Sequence, residues 1–419
     1  MSNAASVATE SWFQDPALGR IFALLNQDGE EVRVVGGAVR NALMGQSVTD
    51  IDLATSWPPE QVVARAKEAC IRSVPTGIDH GTVTLVIDGQ GFEITTLRHD
   101  AETDGRRAKV TFGRDWQVDA ERRDFTINAL YADQSGTIID LVGGLADIES
   151  RTVRFIGDAD ARIAEDYLRV LRYFRFFAHY GAGRPDAAAL KACARAKGHL
   201  DKLSAERVWK ELKALLKAAD PGRALLWMRQ TGVLTAVLPE TEKWGIDSIA
   251  GLTATETALG WEPDPMLRLM AIIPPDVKRV QALAGRLKMS RAETERLVKW
   301  AEAPALQPTL AITALDRLLY RHGGKPLGDR IKLSLISARA RADTDPAALT
   351  EAAGHSRHLA RALAWERPVF PVSGADLIDR GVAPGPEMGA RLSELEDKWV
   401  ASNFMLSKDA LLSEVAPDY

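Results

Sequence analysis

Residues 32–55 of this 419-residue chain, VRVVGGAVRNALMGQSVTDIDLAT, contain the features that decide its fold. A β-like run, VRVV, leads into two adjacent glycines, and a short helical segment follows them. Because glycine has no Cβ, Gly36 and Gly37 would let a phosphate approach backbone N–H groups at the start of that segment, with Arg40 beside them. Paired glycines are more often a simple tight turn, and a lone arginine is usually solvated. The function of this stretch can therefore be inferred only together with the acidic residues that follow it.

Two aspartates close the same stretch. Asp50 and Asp52 are separated by one residue, so on a β-strand their side chains would point to the same face. Glu93, in FEITT, lies on another predicted strand and could join them, although an exposed strand glutamate is the alternative. Carboxylates without a nearby His or Cys suit Mg²⁺. The same spacing recurs at Asp158 and Asp160, so the pair alone decides nothing.

Two later segments combine arginines with aspartates. In ERRDFTINAL, Arg123 and Asp124 stand before an apolar segment, a grouping that could hold a triphosphate and a ribose hydroxyl; a surface ion-pair cluster is the competing explanation. In EDYLRVLRYFR, helical geometry puts Asp166 and Arg169 on a common face. Two further arginines follow at three-residue steps, Arg172 and Arg175. Ordinary helix salt bridges would explain this second pattern as well.

Composition limits the class of protein. The chain is too long for one core and should form about two to four domains. Hydrophobic residues (46%) and charged residues (26%) have ordinary globular values, and no apolar run approaches the roughly 20 residues that cross a bilayer. The first residues lack a secretory pattern, so we predict a cytoplasmic protein without a membrane partner. Cys70 and Cys193 are too few for a disulfide framework or a cysteine-based zinc site.

The net charge of −4 is not the global signature of a nucleic-acid binder, so any RNA contact must rest on a local basic region. One stretch has ten basic residues against four acidic ones: Lys191, Arg195, Lys197, Lys202, Arg207, Lys210, Lys213, Lys217, Arg223 and Arg229. From charge alone, solvated helix faces explain this stretch equally well.

The chain changes character near residues 143–150. Before them, short β-like runs alternate with glycine-rich turns, and after residue 150 helical patterns dominate. A stripe of apolar residues beginning at Tyr167 predicts an amphipathic helix, Ser204 is a plausible N-cap, and Ser290 with Glu293 form a capping-box pair. We predict four segments, 1–28, 29–145, 146–220 and 221–419. The family resemblance of the motifs, given next, implies that they are an N-terminal extension, a nucleotidyltransferase head, a helical neck that recognises the base, and a helical body and tail that bind tRNA.

The order and spacing of these motifs resemble the class II tRNA nucleotidyltransferase and bacterial poly(A) polymerase family. The match is carried by GGAVR with DID, then RRDFTINA, EDYLRVLRYFR and ERVWKEL, and it spans roughly residues 30–220. The resemblance implies an α+β protein with a polymerase-β-like nucleotidyltransferase head, followed by an all-helical neck, body and tail. The stretch 97–119 resembles the flexible loop with which full CCA-adding members switch from C to A.

The resemblance also implies roles for the site residues. Asp50 and Asp52 would bind catalytic Mg²⁺, with Glu93 as a third catalytic carboxylate. The nucleotide-binding residues would be Gly36, Gly37, Arg40 and Arg123 at the triphosphate, Asp124 at the ribose, Asp166 and Arg169 at the base, and Arg172 and Arg175 completing the site. Asn41 departs from the aspartate expected after GGxVR, which puts the orientation of Arg40 in question.

The implied activity is addition of C, C and A to the 3′ end of tRNA from CTP and ATP, with release of pyrophosphate, by two-metal nucleotidyl transfer. Poly(A) polymerase, or an enzyme that adds only A or only CC, would share these residues. An RNA-binding protein with a decayed active site is the alternative from another class. The sequence does not reveal the oligomeric state.

Overall fold

The computed structural model describes residues 5–104, 107–242 and 244–415. The chain divides into two compact units, one up to Val237 and one from Leu238 onward. Within the described residues, every β-strand lies before residue 141, and the later chain is helical apart from a single bridge between Phe125 and Phe155. This is the α+β arrangement predicted, with a sheet-containing head followed by helices. The predicted domain bounds within each unit remain a proposal.

The strands of the first unit form two sheets. In chain order they are β1 Val32–Val35, β2 Asp52–Thr55, β3 Arg72–Gly77, β4 Thr82–Ile87, β5 Gln90–Thr96, β6 Arg98–Asp104, β7 Arg107–Phe112, β8 Leu130–Ala132 and β9 Ile138–Asp140. The described strands give a seven-stranded sheet in the order β3-β4-β5-β2-β1-β8-β9 and a separate β6-β7 hairpin. Strand β2 pairs with β5 in parallel, and the other pairings are antiparallel.

Side-chain alternation explains how the central strands bury one face. On β5, Phe92 and Ile94 are buried while Glu93 between them is exposed, as the period of a strand requires. Asp52 lies directly opposite Glu93 in the β2–β5 register, so both carboxylates extend from the same face of the sheet. The predicted meeting of these two strands is therefore confirmed. Asp50 precedes β2 and lies outside the strand, which differs from the predicted Asp50–Asp52 strand pair.

The helices of the first unit surround and extend the sheet. They are α1 Pro16–Leu25, α2 Gly37–Leu43, α3 Pro59–Glu68, α4 Trp116–Glu121, α5 Gly144–Glu149, α6 Ala159–Glu165, α7 Leu168–Tyr180, α8 Ala187–Ala196, α9 Ala205–Leu216, α10 Gly222–Gln230 and α11 Val233–Val237. The segment predicted as an N-terminal extension carries α1, which buries Leu18, Ile21 and Leu25 completely. The indole N–H of Trp57 donates to the Leu25 carbonyl at 2.8 Å, so this helix is part of the head core.

Helix α7 confirms the predicted amphipathic stripe. Val170, Leu171, Phe174 and Phe177 are buried at helical spacing, and the helix packs against α9. Its start differs from the prediction, because Asp166 has extended backbone angles and ends α6 rather than lying on α7.

The second unit is helical throughout its described residues. Its helices are α12 Ser248–Leu259, α13 Pro265–Ile272, α14 Val277–Arg286, α15 Arg291–Glu302, α16 Ile312–His322, α17 Gly324–Arg341, α18 Pro346–Leu363, α19 Gly374–Ile378, α20 Pro386–Ala401 and α21 Lys408–Leu412. The predicted capping box of Ser290 and Glu293 is present. Ser204 is the N-cap of α9 as predicted, but its side chain makes no capping hydrogen bond. Among the described helices, none combines the length and apolar character that crossing a membrane requires.

Candidate active site

A glycine turn connects β1 to α2 and opens the site. Gly36 has φ +74°, a backbone conformation that glycine adopts without steric cost. A Cβ there would lie 3.5 Å from the Asn128 carbonyl and 3.9 Å from a guanidinium nitrogen of Arg123. The turn therefore lies against the RRDFTINA segment, so two of the quoted motifs, GGAVR and RRDFTINA, meet here.

A cavity of about 450 Å³ lies against this turn. It brings together nine of the predicted site residues: Gly36, Gly37, Arg40, Asp52, Arg123, Asp124, Asp166, Arg169 and Arg172. Five more residues complete its wall and were not among the predicted site residues: Val35, Asn128, Leu168, Phe176 and Arg207. A cavity lined by five arginines and three aspartates is suited to a polyanion whose other end carries hydrogen-bonding groups.

A second cavity, of about 550 Å³, adjoins the first. Val35, Asp52 and Arg123 belong to the walls of both, so Asp52 stands where the two cavities meet. Glu93 lines only the second cavity, together with Arg122 among others. The sequence placed Glu93 and the nucleotide residues in one site; in the structure Glu93 lines the second cavity, which Asp52 and Arg123 connect to the first.

Asp52 is the electrostatic focus of this shared wall. Partial desolvation, followed by the negative charges of Glu93 and Asp50, raises the pKa of its carboxyl, although Arg123 acts in the opposite direction. Asp50 accepts a hydrogen bond from the Thr49 hydroxyl at 3.0 Å. In the described chain, no set of three or more His, Cys, Asp or Glu side chains is grouped as a metal site, and a contact of Glu93 with a metal stays a prediction. A crowd of carboxylates is nevertheless an arrangement that a divalent cation would stabilise.

Arg40 is buried in the wall of the first cavity and is held by neutral groups. Its guanidinium donates to the Asn41 Oδ1 at 2.9 Å, to the Tyr180 hydroxyl at 2.7 Å and to the Asn128 Oδ1. Burial lowers the pKa of Arg40 from its usual value. Asn41 also donates to the Ser47 carbonyl, so its amide still orients Arg40 without the carboxylate that the family pattern led us to expect.

Asp124, predicted to contact the ribose, is engaged within the protein. Its Oδ2 accepts two hydrogen bonds from Arg172, one of them 2.8 Å from Nε, and its Oδ1 accepts from the Asn128 side chain and the Phe125 N–H. Burial alone would raise the pKa of Asp124, but the Arg172 guanidinium and the two donors hold it below its usual value. The ribose contact stays a prediction, because a ribose hydroxyl could donate to Asp124 only by sharing oxygens that already accept these four hydrogen bonds.

Arg123 is fixed by a carboxylate that the sequence reasoning passed over. Asp119 is almost fully buried and accepts from Arg123 Nη2 at 3.0 Å, from Arg122 Nε at 2.7 Å and from the Tyr131 hydroxyl at 2.8 Å. Burial opposes the charge on Arg123, but Asp119 outweighs it and raises the pKa of the guanidinium. Arg123 therefore stays charged at the wall that both cavities share.

Two ion pairs form the part of the first cavity that we call the rim, where side-chain exposure ranges from 16% at Arg169 to 48% at Arg207. Asp166 accepts from Arg207 Nη2 at 2.5 Å, and Arg169 pairs with Glu165 and donates to the Arg162 carbonyl at 2.6 Å. Asp166 lies before the helix, which corrects the predicted common helical face; instead, its side chain accepts from the Leu168 N–H at the start of α7. The two residues still reach the same cavity because the chain turns there.

Arg175 does not join the cavity wall. Three residues beyond Arg172 on α7, its Nε donates to the buried Glu211 on α9 at 2.5 Å, and its guanidinium lies 4.5 Å from the Phe176 ring centroid. In the structure Arg175 therefore connects two helices outside the cavity wall, and its role at the nucleotide stays a prediction. Three-residue steps drift around a helix that has 3.6 residues per turn, which carries Arg175 away from Arg169.

The stretch 97–119 contains the β6-β7 hairpin and the start of α4. Residues 105 and 106 at the hairpin tip lie outside the described residues. The proposed role of this stretch in switching from C to A remains a prediction.

One carboxylate, Asp52, in the shared wall of two cavities, one of them lined by arginines, on a mixed sheet with a helical extension, is the arrangement of a nucleotidyltransferase. Comparison with known families agrees: residues 32–154 match the poly A polymerase head domain, and residues 185–244 match a probable RNA- and SrmB-binding site of polymerase A.

Relatives that align along nearly the whole chain identify the family within the nucleotidyltransferases. The chain is 34% identical to CCA tRNA nucleotidyltransferase 1, mitochondrial, of Danio rerio, over 97% of this chain and 92% of the relative. It is 30% identical to the CCA-adding enzyme of Levilactobacillus brevis, over 94% and 96%. The solved Bacillus stearothermophilus CCA-adding enzyme in complex with CTP is similar with a TM-score of 0.69 and 25% identity, over 92% of this chain and 93% of that one. The chain belongs to the family of CCA-adding tRNA nucleotidyltransferases.

Proposed function

We propose that this protein adds C, C and A to the 3′ end of tRNA, using CTP and ATP and releasing pyrophosphate. The observation that carries the proposal is that Asp52 stands at the junction of two cavities, one rich in arginines and one containing Glu93. Transfer between two substrates needs them on either side of the reacting group. The names of the relatives, including one described with CTP, support the same reaction.

The first cavity would hold the nucleoside triphosphate, with its phosphates toward Arg40 and Arg123. The terminal tRNA hydroxyl would enter from the second cavity, where Arg98 and Arg122 supply positive charge for its backbone. Attack of that 3′ oxygen on the α-phosphorus forms one P–O bond as the bond to the β-phosphate oxygen breaks. The proton leaves the hydroxyl toward the carboxylates at the junction, and pyrophosphate departs on the arginine side.

Asp50 and Asp52 are the residues that we propose to hold Mg²⁺. Oxygen donors suit this ion, and nucleotide phosphates and water usually complete its octahedron, so a three-residue protein site is not needed. The raised pKa of Asp52 fits this role, because it reflects negative charge that a cation would compensate. When bound, Mg²⁺ would lower the pKa of the attacking hydroxyl and stabilise charge on the phosphates.

Base selection would depend on Asp166 and Arg169. A carboxylate accepts from the exocyclic amine of cytosine or adenine, and a guanidinium donates to the adjacent ring nitrogen. Uracil would present a carbonyl to the carboxylate, which is unfavourable. In the structure both residues are paired, with Arg207 and Glu165, so a nucleotide would exchange these exposed contacts for its own.

Extension of a tRNA transcript that ends before CCA tests the proposal. At single-nucleotide resolution with Mg²⁺, CTP and ATP, we expect C, C and A to be added by the wild type and nothing by Asp52→Asn. The matched control is Asp88→Asn, an exposed aspartate in the turn after β4 of the same sheet, which should extend normally. No extension by the wild type would contradict the proposal and favour an RNA-binding protein without activity.

The same gel separates the close alternatives. A poly(A) polymerase would give long A tails without C, and partial enzymes would stop after two C residues or add only A. The three nucleotides in fixed order are the expected result, because the relatives match along nearly the whole chain.

We also retain the prediction of a cytoplasmic location. The relative from Danio rerio is named a mitochondrial protein, so fractionation of cells expressing the native chain is the test. Recovery with organelles rather than with cytosolic markers would contradict the prediction.

A further inference from the structure

Asn128 lies in the RRDFTINA segment, at the end of a short 3₁₀ turn, Thr126–Asn128. Its side chain is buried in the wall of the first cavity, where only 9% of the residue is exposed. The amide nitrogen donates to Asp124 Oδ1 at 3.0 Å, and the amide oxygen accepts from Arg40 Nη1. Both ends of one amide group are therefore used inside the cavity wall.

The two partners of Asn128 lead to different parts of the cavity. Arg40 extends from α2, beside the glycine turn, and Asp124 receives Arg172 from α7. Arg172 lies one helical turn after Arg169, at the rim where we propose that the base binds. Asn128 is thus the neutral link in a continuous chain from the phosphate side of the cavity to the base side.

We propose that Asn128 is a positioning residue that holds Arg40 and Asp124 in register, so that the phosphate end and the base end of the cavity act on the same nucleotide. This inference rests on the proposed function. A group in this position must donate to a carboxylate and accept from a guanidinium at once, and the amide of asparagine does so from two separate atoms, Nδ2 and Oδ1. Replacing it leaves a buried donor and a buried acceptor without their partner.

Arg40 is the residue through which this effect should be largest. The other arginines of the cavity wall each pair with a carboxylate: Arg123 with Asp119, Arg169 with Glu165, Arg172 with Asp124 and Arg207 with Asp166. The hydrogen-bond partners of Arg40 are instead three neutral side chains. No carboxylate among these hydrogen-bond partners offsets the charge of Arg40, and Asn128 supplies one of the three contacts that aim it.

Steady-state extension kinetics test the inference in the full chain. For Asn128→Ala we expect KM for CTP and for ATP to rise about tenfold, which corresponds to one buried polar contact, while KM for tRNA is unchanged. The matched control is Thr126→Val in the same turn, which removes the hydrogen bond of 2.5 Å from its hydroxyl to Asp147 outside the cavity. This control should lower Tm but leave both nucleotide KM values unchanged.

A double-mutant cycle separates positioning from general damage. If Asn128 acts through Asp124 and Arg172, the combined Asn128→Ala and Arg172→Met variant should lose less kcat/KM for CTP than the product of the single losses. If Asn128→Ala proves unfolded, Asn128→Ser is used in its place, because a hydroxyl cannot span both partners.

Unchanged nucleotide KM values in a folded variant, effects equal to those of Thr126→Val, or losses that simply multiply would overturn the inference. These results would leave the proposed function intact, because the wild type would still add C, C and A. Failure of the wild type to extend tRNA would instead contradict the proposed function itself.

Discussion

The two ends of the nucleotide cavity are built differently. At the end nearest the sheet, Arg40, Asp124 and Asn128 are each less than 10% exposed and share one hydrogen-bond network. At the rim, Asp166 is 34% exposed and its partner Arg207 is 48% exposed. A buried network fixes its groups before a ligand arrives, whereas an exposed ion pair contributes little and is easily exchanged. We infer that the rigid, buried end binds the triphosphate, which CTP and ATP share. The rim, whose contacts can be exchanged, binds the base, which differs between them.

Replacing the central cation of the buried end should have the largest effect. For Arg40→Gln we expect KM for CTP and ATP to rise about 100-fold, because an unneutralised cation is lost and its neutral partners are left unsatisfied. Extension kinetics with saturating tRNA measure the change. The control is Arg20→Gln, an exposed arginine on α1, which should have wild-type constants. If Arg20→Gln raised the nucleotide KM values as much as Arg40→Gln does, the effect could not be ascribed to the buried end of the cavity.

Replacing Asp166, the carboxylate at the rim, should change the selectivity between nucleotides rather than the thermal stability of the protein. For Asp166→Asn we expect the preference for CTP over UTP in kcat/KM to fall about tenfold or more, since an amide can donate to the uracil carbonyl. Competition between labelled CTP and UTP in the first addition measures the preference. Because the Arg207 pair is exposed, Tm should stay near that of the wild type. A large loss of Tm with unchanged selectivity would mean that Asp166 is structural.

Protonation of His179 on α7 should have a smaller effect on stability, and this effect tests the packing of α7 against α9 behind the site. Burial lowers the pKa of His179, whose Nε2 lies 2.9 Å from the Ala214 carbonyl of α9. Below the ordinary histidine pKa the unfolded chain takes up a proton that the folded chain resists, so this contribution to stability is present at neutral pH and is lost as pH falls. Thermal unfolding between pH 7.5 and about 5.5 should therefore depend less on pH in His179→Gln. An unchanged slope would contradict this assignment.

The smallest effect is expected where both partners of an ion pair are solvated. Arg195 and Asp160 pair on the surface of the first unit with 59% and 50% of their side chains exposed. For Arg195→Gln we expect the same Tm and the same nucleotide constants as the wild type. A measurable change in nucleotide KM would show that exposure does not decide which pairs matter in this protein.

The sequence predicted the motifs well because each one depends on local geometry. The glycine turn at Gly36, the alternation around Glu93 and the stripe of α7 follow from backbone conformation and from the periods of strands and helices. Nine of the twelve predicted site residues line one cavity for this reason, although their presence there does not by itself establish the roles proposed for them.

The remaining errors come from contacts across the chain. Asp119 and Asn128 received no role, because nothing in their local pattern reveals that one carboxylate holds two arginines or that one amide joins Arg40 to Asp124. The family resemblance assigned Arg175 to the site, but in the structure it lies outside the cavity wall, where Glu211 on another helix engages it. Arg207 stood in the basic stretch and in ERVWKEL, and only its contact with Asp166 separates it from the other basic residues there.

Calorimetric binding shows whether the two ends of the cavity bind different parts of one nucleotide. Tripolyphosphate and CTP would each be titrated, with Mg²⁺, into the wild type, Arg40→Gln and Asp166→Asn. We expect Arg40→Gln to weaken the binding of both ligands by similar factors, and Asp166→Asn to weaken the binding of CTP but not of tripolyphosphate. If Asp166→Asn weakened tripolyphosphate, or if Arg40→Gln left it unchanged, the division between a phosphate end and a base end would be wrong.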